Sequence, residues 1–189
     1  LLNEYDYLIK SKKIRTNNLG CKLGVSDAIN WFFEFNEFGI ILEDDCLPNI
    51  TFFSYCEELL NKYKDNMKIM HISGHKKIMG NFNSKESYYF SRIANIWGWA
   101  TWRNRWELYD IRMENLELNR KVVMDNFKMP KHGKYWYRLF KHIRDSGIDT
   151  WDAQWQYTVS INNGACITPF VNLIENTGFD SEATHTITK

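Results

Sequence analysis

An α/β fold with a mixed sheet is what this 189-residue chain predicts, and two observations carry that reading. In the first half, apolar segments of helical and of strand character alternate, whereas helices and loops dominate the second half. The apolar run 38–42 is short, Ile-rich and preceded by a polar turn, as expected of a buried strand. It runs straight into Glu43-Asp44-Asp45, and the edge beyond the carboxyl ends of strands is where open α/β sheets bind ligands.

The elements follow in order. Val25, Ala28, Ile29, Phe32 and Phe33 recur at helical spacing and predict a helix over 24–35, before the strand 38–42. Phe52, Cys56, Leu59 and Tyr63 mark one face of a second helix that begins after Pro48 and Asn49. Strands are expected at 68–73 and 88–90. After Trp99 the pattern turns helical, with Trp102, Arg105, Trp106 and Tyr109 on one side. Residues 110–134 contain Met129-Pro130 and His132-Gly133 and read mostly as loop. Helices over 135–143 and 151–161 and a short strand at 165–167 complete the pattern, and 169–189 has no clear period. No repeat or linker divides the chain, so a single domain over 1–189 is expected.

Composition narrows the function. A net charge of +1 offers no strong field for nucleic acid or an anionic membrane. With 8 Trp, 10 Tyr and 12 Phe, the chain has aromatic rings enough for a core and for stacking on sugar rings or nucleobases. Cys21, Cys46, Cys56 and Cys166 form no Cys-x-x-Cys pair, which points to a reducing, cytoplasmic setting. No apolar run is long enough to span a membrane. Asn49-Ile50-Thr51 fits a glycosylation sequon, a pattern common by chance.

Three carboxylates at the end of a buried strand are costly unless neutralised, and a hard divalent cation would neutralise them. The same triplet also fits a solvated acidic turn. Gly98 lets backbone come close to a ligand, and Trp97 and Trp99 beside it could stack on a sugar or pack in the core. His71 and His75 flank a strand end, where satisfied structural histidines are commoner than ligands.

Several segments together carry a family resemblance. In order they are Asn18-Leu19-Gly20-Cys21, Ile41-Leu42-Glu43-Asp44-Asp45-Cys46-Leu47-Pro48, His71-Ile72-Ser73-Gly74, Tyr88-Tyr89-Phe90-Ser91, Trp97-Gly98-Trp99-Ala100-Thr101-Trp102, Thr150-Trp151-Asp152, Asn172-Leu173-Ile174 and Ala183-Thr184-His185-Thr186. Over residues 17–187 the chain resembles the GT-A nucleotide-diphospho-sugar transferases, and is distantly similar to N-acetylglucosaminyltransferase I. The resemblance implies a GT-A-like, Rossmann-like mixed sheet flanked by helices. It also implies a base-holding strand and helix upstream of Asn18. Only residues 1–17 stand there, so the sequence reads as an N-terminally truncated member lacking the first nucleotide-binding strand.

The implied activity is that of a metal-dependent, inverting glycosyltransferase of the hexosyltransferase type. It would move a sugar from a nucleotide-diphospho-sugar to a hydroxyl of a glycan or other acceptor, with Mn²⁺ or Mg²⁺ as cofactor. On the resemblance, Asp45 and the late His185 hold the metal, and Asn18, Gly20, Glu43 and Asp44 face the donor. Asp152, in a segment similar to the Trp-Asp-Asp-Trp of that relative, is the general base that inversion requires, with Asp149 as the fallback. Trp97, Gly98 and Trp99 are the candidate acceptor side. Two other classes stay open: a catalytically silent sugar- or nucleotide-binding domain, and a two-metal phosphoryl-transfer or nuclease domain. The second lacks an obvious further carboxylate cluster.

Overall fold

The computed structural model describes residues 6–76, 85–127 and 129–178. Helix α1 (Gly20–Phe35) leads into β1 (Phe38–Ile41), β2 (Cys46–Pro48) and α2 (Thr51–Tyr63). Strands β3 (Ile69–Ser73), β4 (Tyr88–Ser91) and β5 (Trp99–Trp102) follow, and β5 passes directly into the single turn α3 (Arg103–Trp106). Helices α4 (Arg120–Asp125), α5 (Pro130–Asp145) and α6 (Asp152–Ile161) come next, then β6 (Ala165–Pro169) and β7 (Ile174–Asn176). The protein is thus α/β, with a mixed sheet flanked by helices. Among the described residues no helix is long and apolar enough to cross a membrane.

The main sheet runs β1-β5-β3-β6-β4. Among the described residues only β3 and β6 pair in parallel; the other neighbours are antiparallel. A second, two-stranded sheet joins β2 to β7. Phe52, Cys56, Leu59 and Leu60 of α2 pack with Ile69, Ile72, Ala100 and Ile167. Ile29 and Phe33 of α1 and Trp155 and Val159 of α6 pack instead with Met70, Trp99 and Cys166. A register shift in β3 between Ile69 and His71 puts Met70 and His71 together in that second cluster. A third cluster ties α4, α5 and α6 through Val123, Phe140, Ile143, Ala153 and Tyr157.

Three expectations need correction. Residues 99–102 are not helical: they form β5, hydrogen-bonded between β1 and β3 and buried throughout. Pairing on both sides overrides a helical spacing that in fact belongs to α3 alone. Residues 110–134 are not mostly loop, since they contain α4 and the first turn of α5. Pro130 stands in that first turn, where a missing N–H costs nothing, and a Cβ on Gly133 would lie 2.1 Å from the Met124 carbonyl oxygen. The glycine that read as a breaker is a close helix–helix contact. Residues 174–176, aperiodic in sequence, pair with β2.

Candidate active site

Beyond β1 the chain turns through Glu43, Asp44 and Asp45 into β2, with the Cys46 N–H donating to the Glu43 carbonyl at 3.1 Å. This turn lies beside the start of α6, where Asp152 is placed. Burial, then the charges of Asp45, Asp152 and Asp44, push the Glu43 carboxyl up to about 7, against a weaker opposing contact from the Trp151 side chain. No Lys or Arg is among the leading influences on it. Its Oε1 is buried and has no hydrogen-bond partner.

Asp45 is half-buried and better supported. Asn176 Nδ2 donates to its Oδ2 at 3.1 Å, and the Thr177 N–H donates to its backbone oxygen at 2.8 Å. A Cβ on Gly178 would sit 2.5 Å from Asp45 Oδ2. Residues 176–178 therefore brace the acidic turn. The sequence offered only Asn-Thr-Gly as a turn signal there, with nothing to connect it to Asp45. Asp44 is exposed, and with Glu43 it closes one end of an apolar groove of about 440 Å³ between α1 and β1, lined by Val25, Ala28, Phe32 and Leu42. Asp152 opens α6, and the Thr150 hydroxyl donates to its Oδ1. The Tyr109 hydroxyl donates to the Trp151 carbonyl at 3.0 Å and feels the Asp152 charge.

The start of α1 borders the same acids. Burial, then Glu43, Asp149 and Asp152, raise the Cys21 thiol. The Asp149 carboxylate accepts the N–H of Cys21 at 2.8 Å and of Lys22 at 2.9 Å, and Asn18 Oδ1 accepts the N–H of Gly20 at 2.8 Å. Gly20 has φ +74°, and a Cβ there would lie 2.5 Å from Asp149 Oδ2. Asn18 and Gly20 thus build a helix start, and Asp149 caps it, satisfying donors that helix geometry leaves open.

The tryptophan segment splits. Trp99 is fully buried, its ring stacked on His71 at 5.0 Å and on Trp151 at 5.7 Å, so the expectation that it lines an acceptor surface is corrected: it is core. Gly98 is buried with φ +57°, and a Cβ would meet Ile174 Cδ1 at 2.4 Å, so packing against β7 accounts for the glycine. Trp97 alone of the three keeps accessible surface, tilted against His75 at 4.4 Å between ring centres. His71 is buried, with Nε2 on the Asn95 carbonyl at 2.9 Å and Nδ1 accepting from Trp155 Nε1 at 3.1 Å. Burial lowers it to about 4, so it is a neutral structural histidine. His185 lies outside the described residues.

Three His, Cys, Asp or Glu side chains nowhere converge as a metal-ligand set among the described residues. Asp44 and Asp45 from the end of β1 and Asp152 from the start of α6 are near enough for their charges to act on Glu43. No family model matches the chain, and no curated protein matches it.

Proposed function

We propose that this protein is the catalytic part of a GT-A-type, metal-dependent inverting glycosyltransferase acting on a nucleotide-diphospho-sugar. The observation that carries the reading is Glu43: a carboxylate with a buried oxygen that has no hydrogen-bond partner among the described residues, under the charges of three other acids. Burying like charges together is unfavourable in a structural role. It suits a site that completes itself with Mn²⁺ or Mg²⁺.

In this reading Asp45 is the protein's first ligand to the metal, aligned by Asn176, and His185 is the second on the family resemblance. When bound, the metal supplies charge neutralisation at the leaving diphosphate. Glu43 and Asp44 face the ribose or the donor sugar. Asp152 takes the proton from the acceptor hydroxyl. Its Oδ1 is held by Thr150, which orients the second oxygen for that task. Trp97 offers the apolar face for the acceptor ring, while Gly98 and Trp99 set its backbone and its backing. Asn18 and Gly20 act on the donor side by shaping the start of α1.

Calorimetry with UDP-, GDP- and dTDP-sugars, with and without Mn²⁺, tests the metal. Asp45→Asn should abolish Mn²⁺-dependent donor binding while the fold persists, and unaltered binding would remove Asp45 from the site. Asp152→Asn should lower turnover roughly 10²-fold or more with donor affinity kept, the usual scale for a lost general base. Metal-dependent donor binding with neither hydrolysis nor transfer by the wild-type chain would favour the silent binding domain instead.

A further inference from the structure

Helix α5 carries a charge segregation that the near-neutral total conceals. From Pro130 to Arg144 it contains Lys131, Lys134, Arg138, Lys141 and Arg144 and no Asp or Glu, in a chain of net charge +1. Its inner face is fixed: Gly133, Phe140 and Ile143 are buried, the last two in the cluster shared with α4 and α6. Lys141 and Arg144 are paired, with Asp145 at 2.7 Å and 2.8 Å and with Glu117. Lys131, Lys134 and Arg138 have no acidic partner among the described residues. With Tyr135, Leu139 and His142 they line a surface groove of about 390 Å³. Their spacing of three and four residues puts them on one stripe of the helix.

We propose that this stripe docks the protein on an anionic lipid bilayer. Charge complementarity points to a negative partner, and the neighbouring side chains point to lipid. Tyr135 is 60% exposed within the stripe, and Met129, just before the helix, is 46% exposed. An amphipathic ring and a thioether beside three cations suit the headgroup level of a membrane, where a Tyr ring is half wet and cations meet lipid phosphates. A soluble polyanion can stack on the Tyr135 ring, but it gains little from an exposed thioether. The helix cannot insert, because its apolar side already packs in the core, so attachment is peripheral and electrostatic.

The test is co-sedimentation of the chain with phosphatidylcholine vesicles, with and without phosphatidylglycerol. Binding is expected only to the anionic vesicles, and it should weaken as salt is added. K131Q/K134Q/R138Q should weaken it about 10²-fold, roughly fivefold for each cation. Thermal melting should be unchanged, because these three side chains hold no ion pair among the described residues. The variant K121Q/K141Q, whose lysines pair with Asp125 and Asp145, should retain most of the binding. Failure of the wild-type chain to bind anionic vesicles overturns the proposal, as does undiminished binding by the triple variant. Binding to soluble dextran sulfate without vesicle binding also overturns it and assigns the stripe to acidic glycans.

Discussion

At the centre of the sheet, His71 is buried with a partner on each ring nitrogen. Just beyond the end of edge strand β1, Glu43 is partly buried, with one oxygen unpartnered and like charges around it. Burial drives both toward their neutral forms: His71 down to about 4, Glu43 up to about 7. The shifts look alike, yet the surroundings separate them. A desolvated group whose polar atoms are all satisfied is architecture. A desolvated group left unsatisfied among like charges is a site awaiting a partner, and it marks where chemistry is to be sought.

The comparison breaks first at His71. His71→Leu should destabilise the protein by about 4 kcal/mol, because it strands the Trp155 indole N–H and the Asn95 carbonyl and removes a ring stacked on Trp99. Urea denaturation at neutral pH measures this. A cost below about 1 kcal/mol would mean that the His71 hydrogen bonds do not hold the core together.

The two groups also pull stability in opposite directions with pH. His71 has a depressed folded value, so its contribution is complete above 6.5 and is lost as pH falls toward about 4. That loss amounts to roughly 3 kcal/mol. Glu43 has a raised folded value, so its contribution is complete below 4.5 and is lost as pH rises through about 7. Between 4.5 and 6.5 the two slopes offset one another. Glu43→Gln should therefore make the acid-side loss steeper, because His71 then acts alone. A variant whose stability follows pH as the wild type does would show that Glu43 is ionised and solvated after all.

At pH 8 without metal, Glu43→Gln should stabilise the fold by about 1–2 kcal/mol, allowing for partial solvation of the carboxyl. Mn²⁺ should raise the melting temperature of the wild type more than that of the variant, since the cation relieves repulsion that the amide has already removed. Equal Mn²⁺ shifts would place the cation away from Glu43.

Much of this contrast could be read from the sequence, but not all of it. The acidic triplet after an Ile-rich run announced the end of β1, because a short apolar run of that kind has few other readings. The helices α1, α2 and α6 showed in their apolar spacing. The burial of Trp99 did not show, since Trp-Gly-Trp reads equally as a platform and as core until β1 and β3 are seen to enclose β5. Nor could the bracing of Asp45 by Asn176 be seen, because that contact depends on the pairing of β2 with β7, two three-residue strands too short to carry a period. The α5 stripe was hidden by summing charge over the whole chain.

The smallest expected effect separates the two aspartates near α6. Asp149 and Asp152 are three residues apart and equally acidic by sequence, yet Asp149 accepts two backbone N–H groups at the start of α1 while Asp152 is held by one hydroxyl. Asp149→Asn keeps a single acceptor oxygen, so one of those donors loses its partner, and the helix start loses a favourable negative charge. A cost of about 0.5–1 kcal/mol is expected, the scale of a weakened cap. Turnover should stay within a few-fold of wild type, because a capping carboxylate holds a helix and does not touch the acceptor. If Asp149→Asn instead lowers turnover 10²-fold with its melting curve intact, while Asp152→Asn does not, the base is Asp149. The bond to Thr150 would then serve only to start α6.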